Sequence, residues 1–82
     1  MLPWSDPVLG EAEEWIRKAI DLDKTNGMIW HLGHDYALYA KLFKHKDDYT
    51  KAKENFGRAI KILKECGADG WAEKYEEDLA EL

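Results

Sequence analysis

The chain has very little cysteine: Cys66 is the only one among its 82 residues. A single cysteine excludes an internal disulfide and a metal site built from several cysteines. No base can be paired with Cys66 from the sequence. We therefore interpret it as a small residue near a helix end rather than as a nucleophile.

Long apolar runs are also missing. The longest are a few residues, and no basic segment precedes a continuous apolar stretch near Met1. This pattern predicts neither a membrane span nor a signal peptide, and we expect a cytoplasmic protein.

The sequence lacks the patterns of several enzyme classes as well. No segment alternates apolar and polar residues as a half-buried strand does. The six glycines are scattered rather than grouped in a loop that would cradle phosphates. A chain of 82 residues makes one small domain, 1–82, with no volume for a separate catalytic domain.

Charge is unevenly distributed within the net −5. Residues 41–64 carry eight Lys or Arg against three acidic residues, whereas residues 1–40 and 65–82 are both acidic. Nucleic-acid binding is not expected, because the total is acidic and the basic stretch has no interleaved aromatic platform.

One helical pattern occurs twice, forty residues apart. Matched positions are Ala12 with Ala52, Ile16 with Phe56, Ala19 with Ala59, Ile20 with Ile60 and Leu22 with Ile62. A period of 20 to 50 residues is typical of repeat architectures, in which each unit buries its apolar face against the next.

Apolar spacing and turn residues predict four helices, at about 7–23, 28–46, 49–66 and 69–81. Asp6 and Pro7 form a start signal for the first helix, and Gly27 and Gly67 are stop signals for the first and third. Asp47 and Asp48 predict the middle turn. The predicted fold class is all-α, with four antiparallel helices arranged as helical hairpins.

The second and third helices carry a more specific pattern. Ala52 is followed by an aromatic residue, Phe56, and then by Ala59, while the second helix has Tyr36, Tyr39, Ala40 and Phe43. These residues resemble a tetratricopeptide repeat (TPR), over roughly residues 9–82 and most strongly over 36–63. The period of forty residues differs from the family's, which is about thirty-four, and Lys24 and Lys64 stand where a proline often closes the repeat.

The resemblance implies a non-enzymatic protein-interaction module. In the family, the first helix of each repeat lines a concave groove, and the corresponding positions here are His34, Ala37, Lys41, Lys44 and His45. This basic face suits an acidic segment or a free terminal carboxylate. The resemblance therefore implies a protein or peptide partner.

Catalytic and metal sites are not predicted, and no cofactor is expected. His31, His34 and Asp35 have helical spacing, but two helical ligands do not close a zinc site. The clustered glutamates have no apolar surroundings that would suit them to acid or base catalysis, and we interpret them as solvated side chains.

As a set of repeats the chain is incomplete, since it has one full unit flanked by two half-units. A dimer, a longer array, or the Leu2–Trp4 segment and the fourth helix folding back would each cover the open flanks. We expect a homodimer, and the residues predicted for self-association are Trp4, Trp71, Tyr75 and Leu79. The alternative is a structural or assembly fragment, excised or engineered, whose only activity is oligomerisation.

Overall fold

Four α-helices, of 20, 17, 17 and 12 residues in chain order, make up the described chain. The computed structural model describes the backbone of residues 6–82 and the side chains of residues 10–82. The helices are α1 (Asp6–Thr25), α2 (Ile29–His45), α3 (Tyr49–Glu65) and α4 (Asp69–Ala80). No strand occurs within residues 6–82. The predicted all-α fold is confirmed, and the helix bounds lie within two residues of those predicted from the sequence.

The three turns between helices share one conformation. Gly27, Asp47 and Gly67 all have positive φ angles, of 66°, 61° and 82°. At each turn the next residue donates its N–H to a carbonyl five residues earlier, at 2.8 to 2.9 Å. This is the Schellman ending of a helix, which reverses the chain within a few residues. Because the turns recur every twenty residues, two helix-and-turn segments account for the forty-residue period.

Helices α2 and α3 approach closely because small residues line their contact. Ala40, Ala52 and Ala59 have no exposed surface. A Cβ added to Gly33 would lie 2.7 Å from Cγ of Leu63, a side chain that is itself fully buried. The pair is therefore packed without room for larger side chains.

Helix α1 packs on α2 through larger side chains. Ile16 and Ile20 of α1 form a cluster with Leu32 and Leu42 of α2. An ion pair between Lys46 and Glu13, 2.7 Å apart, joins the end of α2 to the first half of α1. This pairing shows that the two helices run antiparallel.

Helix α4 completes the fold by packing on α3 and touching α2. Ala72 and Tyr75 are buried in a cluster with Ala37, Phe56 and Leu63. Helix α3 runs antiparallel to α2, and α4 runs antiparallel to α3. Helices α2 and α4 therefore run in the same direction, side by side, with α3 behind them. None of the helices in the part of the chain that the structure describes is both long enough and apolar enough to cross a membrane.

Candidate peptide-binding face

The side-by-side pair α2 and α4 presents one continuous face, which we call the α2–α4 face. Its upper end carries Trp30, His34, Trp71 and Tyr75, and its lower end carries Lys41, Lys44, His45, Lys74 and Asp78. The direction of both helices fixes this order, because residues later in α2 lie beside residues later in α4.

The upper end is an aromatic cluster centred on His34. Its ring lies 4.1 Å from the Trp30 ring, tilted by 57°, and 4.6 Å from the Trp71 ring in an edge-to-face arrangement. Trp30 and Trp71 remain 45% and 46% exposed. Two large aromatic side chains therefore flank a histidine and still offer apolar surface to a ligand.

A hydrogen bond connects this cluster to the core. Nδ1 of His34 and the hydroxyl of Tyr75 are 2.8 Å apart. Burial lowers the pKa of His34, and the charges of His31 and Lys41 lower it further. Burial, with a smaller effect from Asp78, raises the pKa of Tyr75. With a neutral imidazole and a protonated phenol, the tautomer of His34 sets the direction of this bond: Nδ1 accepts from the Tyr75 hydroxyl when the proton is on Nε2, and Nδ1–H donates to the Tyr75 oxygen in the other tautomer.

The lower end is a basic cleft of about 350 Å³. It is lined by Lys41, Lys44 and His45 of α2, by Lys74 and Asp78 of α4, and by Phe56 of α3. Phe56 is buried, so it forms an apolar floor beneath the charged rim. Only the Asp78 carboxylate opposes the three lysines of the lining, and it lies 4.0 Å from Nζ of Lys74. With three lysines against one carboxylate, the charged groups of the lining favour carboxylates as ligands.

Lys41 connects the two ends of the face. Its Nζ lies 5.7 Å from the centre of the Tyr75 ring, within the range of a cation–π contact. Because Tyr75 also bonds to His34, one buried phenol positions residues of both ends.

The structure brings most of the groove residues predicted from the sequence together. His34, Lys41, Lys44 and His45 all lie on the α2–α4 face. Ala37 lies beneath it, 1% exposed within the core, so it contributes no exposed side chain. Sequence reasoning missed Trp30, Lys74 and Asp78. The forty-residue offset could have identified Lys74, since it places Lys74 at the position of His34.

The residues predicted for self-association lie in different surroundings. Tyr75 is 6% exposed and is engaged within the chain, and Leu79 is half-buried against the same core. Trp71 belongs to the aromatic cluster and keeps an exposed edge. Trp4 lies outside the described residues, as do Leu2 and Pro3.

A carboxyl pair lies between α1 and α2, away from this face. Burial, together with a hydrogen bond and repulsion from Asp23, raises the pKa of Asp35 to about 7. Oδ2 of Asp35 is enclosed and has no hydrogen-bond partner in the described part of the chain. The carboxyl therefore changes charge near neutral pH at the α1–α2 contact.

Other candidate sites are weaker. Among the side chains of residues 10–82, no three His, Cys, Asp or Glu are grouped to hold a metal ion. A second concavity of about 290 Å³ is lined by Tyr36, Arg58, Lys61, Ile62 and Glu65. It lacks an exposed aromatic pair, and Arg58 is already placed over the Tyr36 ring at 5.8 Å.

Comparison with known proteins finds no matching family model, no significantly similar curated protein and no significantly similar solved structure. The TPR resemblance therefore depends on the residues of this chain alone.

Proposed function

We propose that the chain is a non-enzymatic protein-interaction module of TPR type that binds an acidic peptide along the α2–α4 face. The observation that carries the proposal is the continuity of two exposed tryptophans with a cleft lined by three lysines. Aromatic side chains supply contact area, and the lysines select carboxylates. A cytoplasmic location stays a prediction from the sequence.

The length of the α2–α4 face sets the length of the peptide that we propose. From Trp30 to Lys44 the face extends fourteen helical residues, or ~21 Å at the rise of an α-helix. An extended peptide covers that distance in about six residues. The fitting ligand has an apolar side chain near one end and two or three carboxylates about five residues away.

Calorimetric titration tests this proposal. The probe is a synthetic peptide of about eight residues with leucine at one end and three glutamates at the other, made in both sequence orders. Its counterpart has glutamine in place of glutamate. We expect the glutamate peptide to bind at least ~10-fold more tightly, and its affinity to fall as salt is added.

Matched charge reversals locate the site. Lys44→Glu should weaken binding of the glutamate peptide, because Lys44 lines the cleft. Lys53→Glu makes the same change at an exposed position of α3 outside the lining and should leave the affinity unchanged. Equal affinity for the two peptides, or equal losses in the two variants, would contradict the proposed site.

A second candidate function, assembly through self-association, is favoured by a different observation. Trp15 and Leu22 of α1 are exposed by 70% and 62% on a helix that already buries another face. Their surface is separate from the α2–α4 face, so both functions can coexist in one chain.

A further inference from the structure

His34 is the residue through which the aromatic rings of α2 and α4 meet. Its imidazole contacts Trp30 of α2, and it also contacts Trp71 and Tyr75 of α4. Among the described residues, every contact between a ring of α2 and a ring of α4 includes His34. Because α4 packs mainly on α3, this bridge sets how Trp71 lies relative to Trp30.

The two nitrogens of the imidazole have different surroundings. Nδ1 lies 2.8 Å from the Tyr75 hydroxyl, whereas Nε2 is enclosed and has no hydrogen-bond partner within the part of the chain that the structure describes. A neutral imidazole leaves this one nitrogen unpaired. An imidazolium would place a charged N–H there without an acceptor, which costs considerably more free energy. The observed arrangement therefore suits a neutral His34.

The charged and ionisable groups that face His34 come from α2 and α4. Beneath the face, α3 contributes Phe56 and Leu63, which do not ionise, and α1 packs on another part of α2. The groups that face it are His31 and Lys41 of α2 and Tyr75 of α4, with Lys74 and Asp78 further along α4 at the lower end.

These surroundings disfavour the charged imidazole. Burial, followed by the charges of His31 and Lys41, lowers the pKa of His34 from its ordinary value of 6.5. Contact with two indole rings favours a cation, but it does not outweigh burial and the like charges. His34 is therefore neutral at pH 7 and gains its charge only in mild acid.

We propose that His34 is a positioning residue of the α2–α4 face: its neutral imidazole holds Trp30 and Trp71 together as one apolar surface, and protonation of His34 separates them. This role rests on the proposed peptide binding and concerns its regulation. An imidazolium avoids the cost of an enclosed, unpaired N–H by turning Nε2 toward water, and the ring then loses its contacts with both indoles. The apolar end of the peptide therefore binds well at neutral pH and poorly in mild acid, whereas the lysines of the cleft stay charged.

Two peptides separate the upper end of the face from the lower end. Both carry three glutamates, and one has leucine and the other alanine at the apolar end. The ratio of their dissociation constants reports on the upper end alone, because protonation of His45 or of the glutamates affects both peptides alike. Calorimetric titration at about pH 7.5 and at about pH 5 measures this ratio on both sides of the range in which histidines ionise. For the wild type we expect the leucine peptide to bind at least ~10-fold more tightly at the higher pH, and less than ~3-fold at the lower pH.

Matched variants of two histidines assign the effect. His34→Gln keeps a neutral polar side chain but has no ring to bridge α2 and α4, so the ratio should be low and the same at both pH values. His31→Gln makes the same change three residues earlier, at an exposed residue that contacts Trp30 but no ring of α4. It should keep the pH dependence of the ratio. Because a positive neighbour of His34 is removed, the change should occur at a higher pH than in the wild type.

A measurement without peptide keeps the role of His34 testable by itself. In the wild type, nuclear Overhauser contacts between the rings of His34 and Trp71 should be present at about pH 7.5 and lost at about pH 5. Contacts between the rings of Phe56 and Tyr75 should persist at both pH values, because these rings lie in the core that holds α4 on α3.

The role of His34 would be disproved by a wild-type ratio that is the same at both pH values. It would also be disproved if His34→Gln kept the wild-type ratio, or if the contacts between His34 and Trp71 persisted at the lower pH. Loss of those contacts in acid, with neither peptide binding at any pH, would instead refute the proposed peptide binding and leave the role of His34 standing.

Discussion

Helices α1 and α3 share one repeated apolar pattern and both pack against α2, yet the α1–α2 and α2–α3 contacts differ. Between α2 and α3 the contact is made by alanines and by Gly33, and the helices are close. Between α1 and α2 the contact is made by isoleucines and leucines, with the carboxyl of Asp35 enclosed beside Asp23. The repeated apolar positions thus determine where helices form, and the size and charge of a few residues determine how tightly each pair packs.

The largest expected effect tests how closely α3 and α1 each pack at the repeated alanine position. Ala59→Leu should destabilise the fold by ~1 to 3 kcal/mol, because Ala59 is fully buried and the added atoms overpack the contact. Ala19→Leu makes the same change at the equivalent position of α1, which lines an open concavity, and should alter the free energy of unfolding by less than ~0.5 kcal/mol.

Denaturant unfolding at one low protein concentration measures both variants. Equal losses at Ala59 and Ala19 would remove the distinction between a closed pair and an open helix face. They would also weaken the TPR-like hairpin interpretation, which requires a small residue at position 59.

The next effect tests the carboxyl pair of the α1–α2 contact. The pKa of Asp35 is raised from 3.8 to about 7, so the folded state holds the proton more tightly than the unfolded state. Its contribution to stability is therefore fully present below about pH 4 and is lost as pH rises toward 7. Asp35→Asn should remove this fall in stability between pH 4 and pH 7, because asparagine does not ionise.

Thermal melts of the wild type and Asp35→Asn at several pH values check the sign. The variant should be more stable at pH 8, by ~1 to 2 kcal/mol after discounting for the partial exposure of the carboxyl, and the difference should shrink toward pH 4. Asp21→Asn is the control, because it makes the same change at an exposed position of α1. A constant difference across pH would argue against a protonated Asp35.

The smallest effect compares the turns. Asp47 and Gly27 occupy equivalent positions in two turns, with φ angles of 61° and 66°. This left-handed conformation favours glycine, so the backbone of Asp47 is strained and that of Gly27 is not. Asp47→Gly should stabilise the chain by ~0.5 kcal/mol, and Gly27→Ala should destabilise it by ~1 kcal/mol. Since a Cβ at Gly27 would meet no atom within 4 Å, backbone strain alone accounts for the second effect. Thermal melts that give the same sign for both would contradict this account.

Helix positions were predictable because turn residues and apolar spacing are local signals. Gly27 and Gly67 indicated two of the three turns, and Ala52 and Ala59 indicated the close contact. The exposure of Trp15 was not predictable in the same way. Periodicity identifies the apolar faces of a helix, but which face is covered depends on the neighbours that the fold supplies.

Only part of the candidate site was predictable from the sequence, because the other part depends on which helices the fold places side by side. Lys41, Lys44 and His45 follow from the TPR resemblance, which concerns the first helix of a repeat. Lys74 and Asp78 join them only because α4 lies beside α2 in the same direction. Trp30 lies on α2 itself, one turn before His34. Ala37 illustrates the converse, since an alanine at a helical position suits a groove wall or a core equally well.

The twenty-residue spacing of the three turns also has a consequence for folding kinetics. Each helix meets its main packing partner after closing only a short loop, so few contacts require distant segments to meet first. We therefore expect this chain to fold quickly, with the α2–α3 pair as the nucleus, because its contact is the most extensive between two of the described helices. Within residues 6–82, α1 packs mainly on α2, and α4 packs mainly on α3. Their amide protons should therefore exchange with solvent before those of the two central helices.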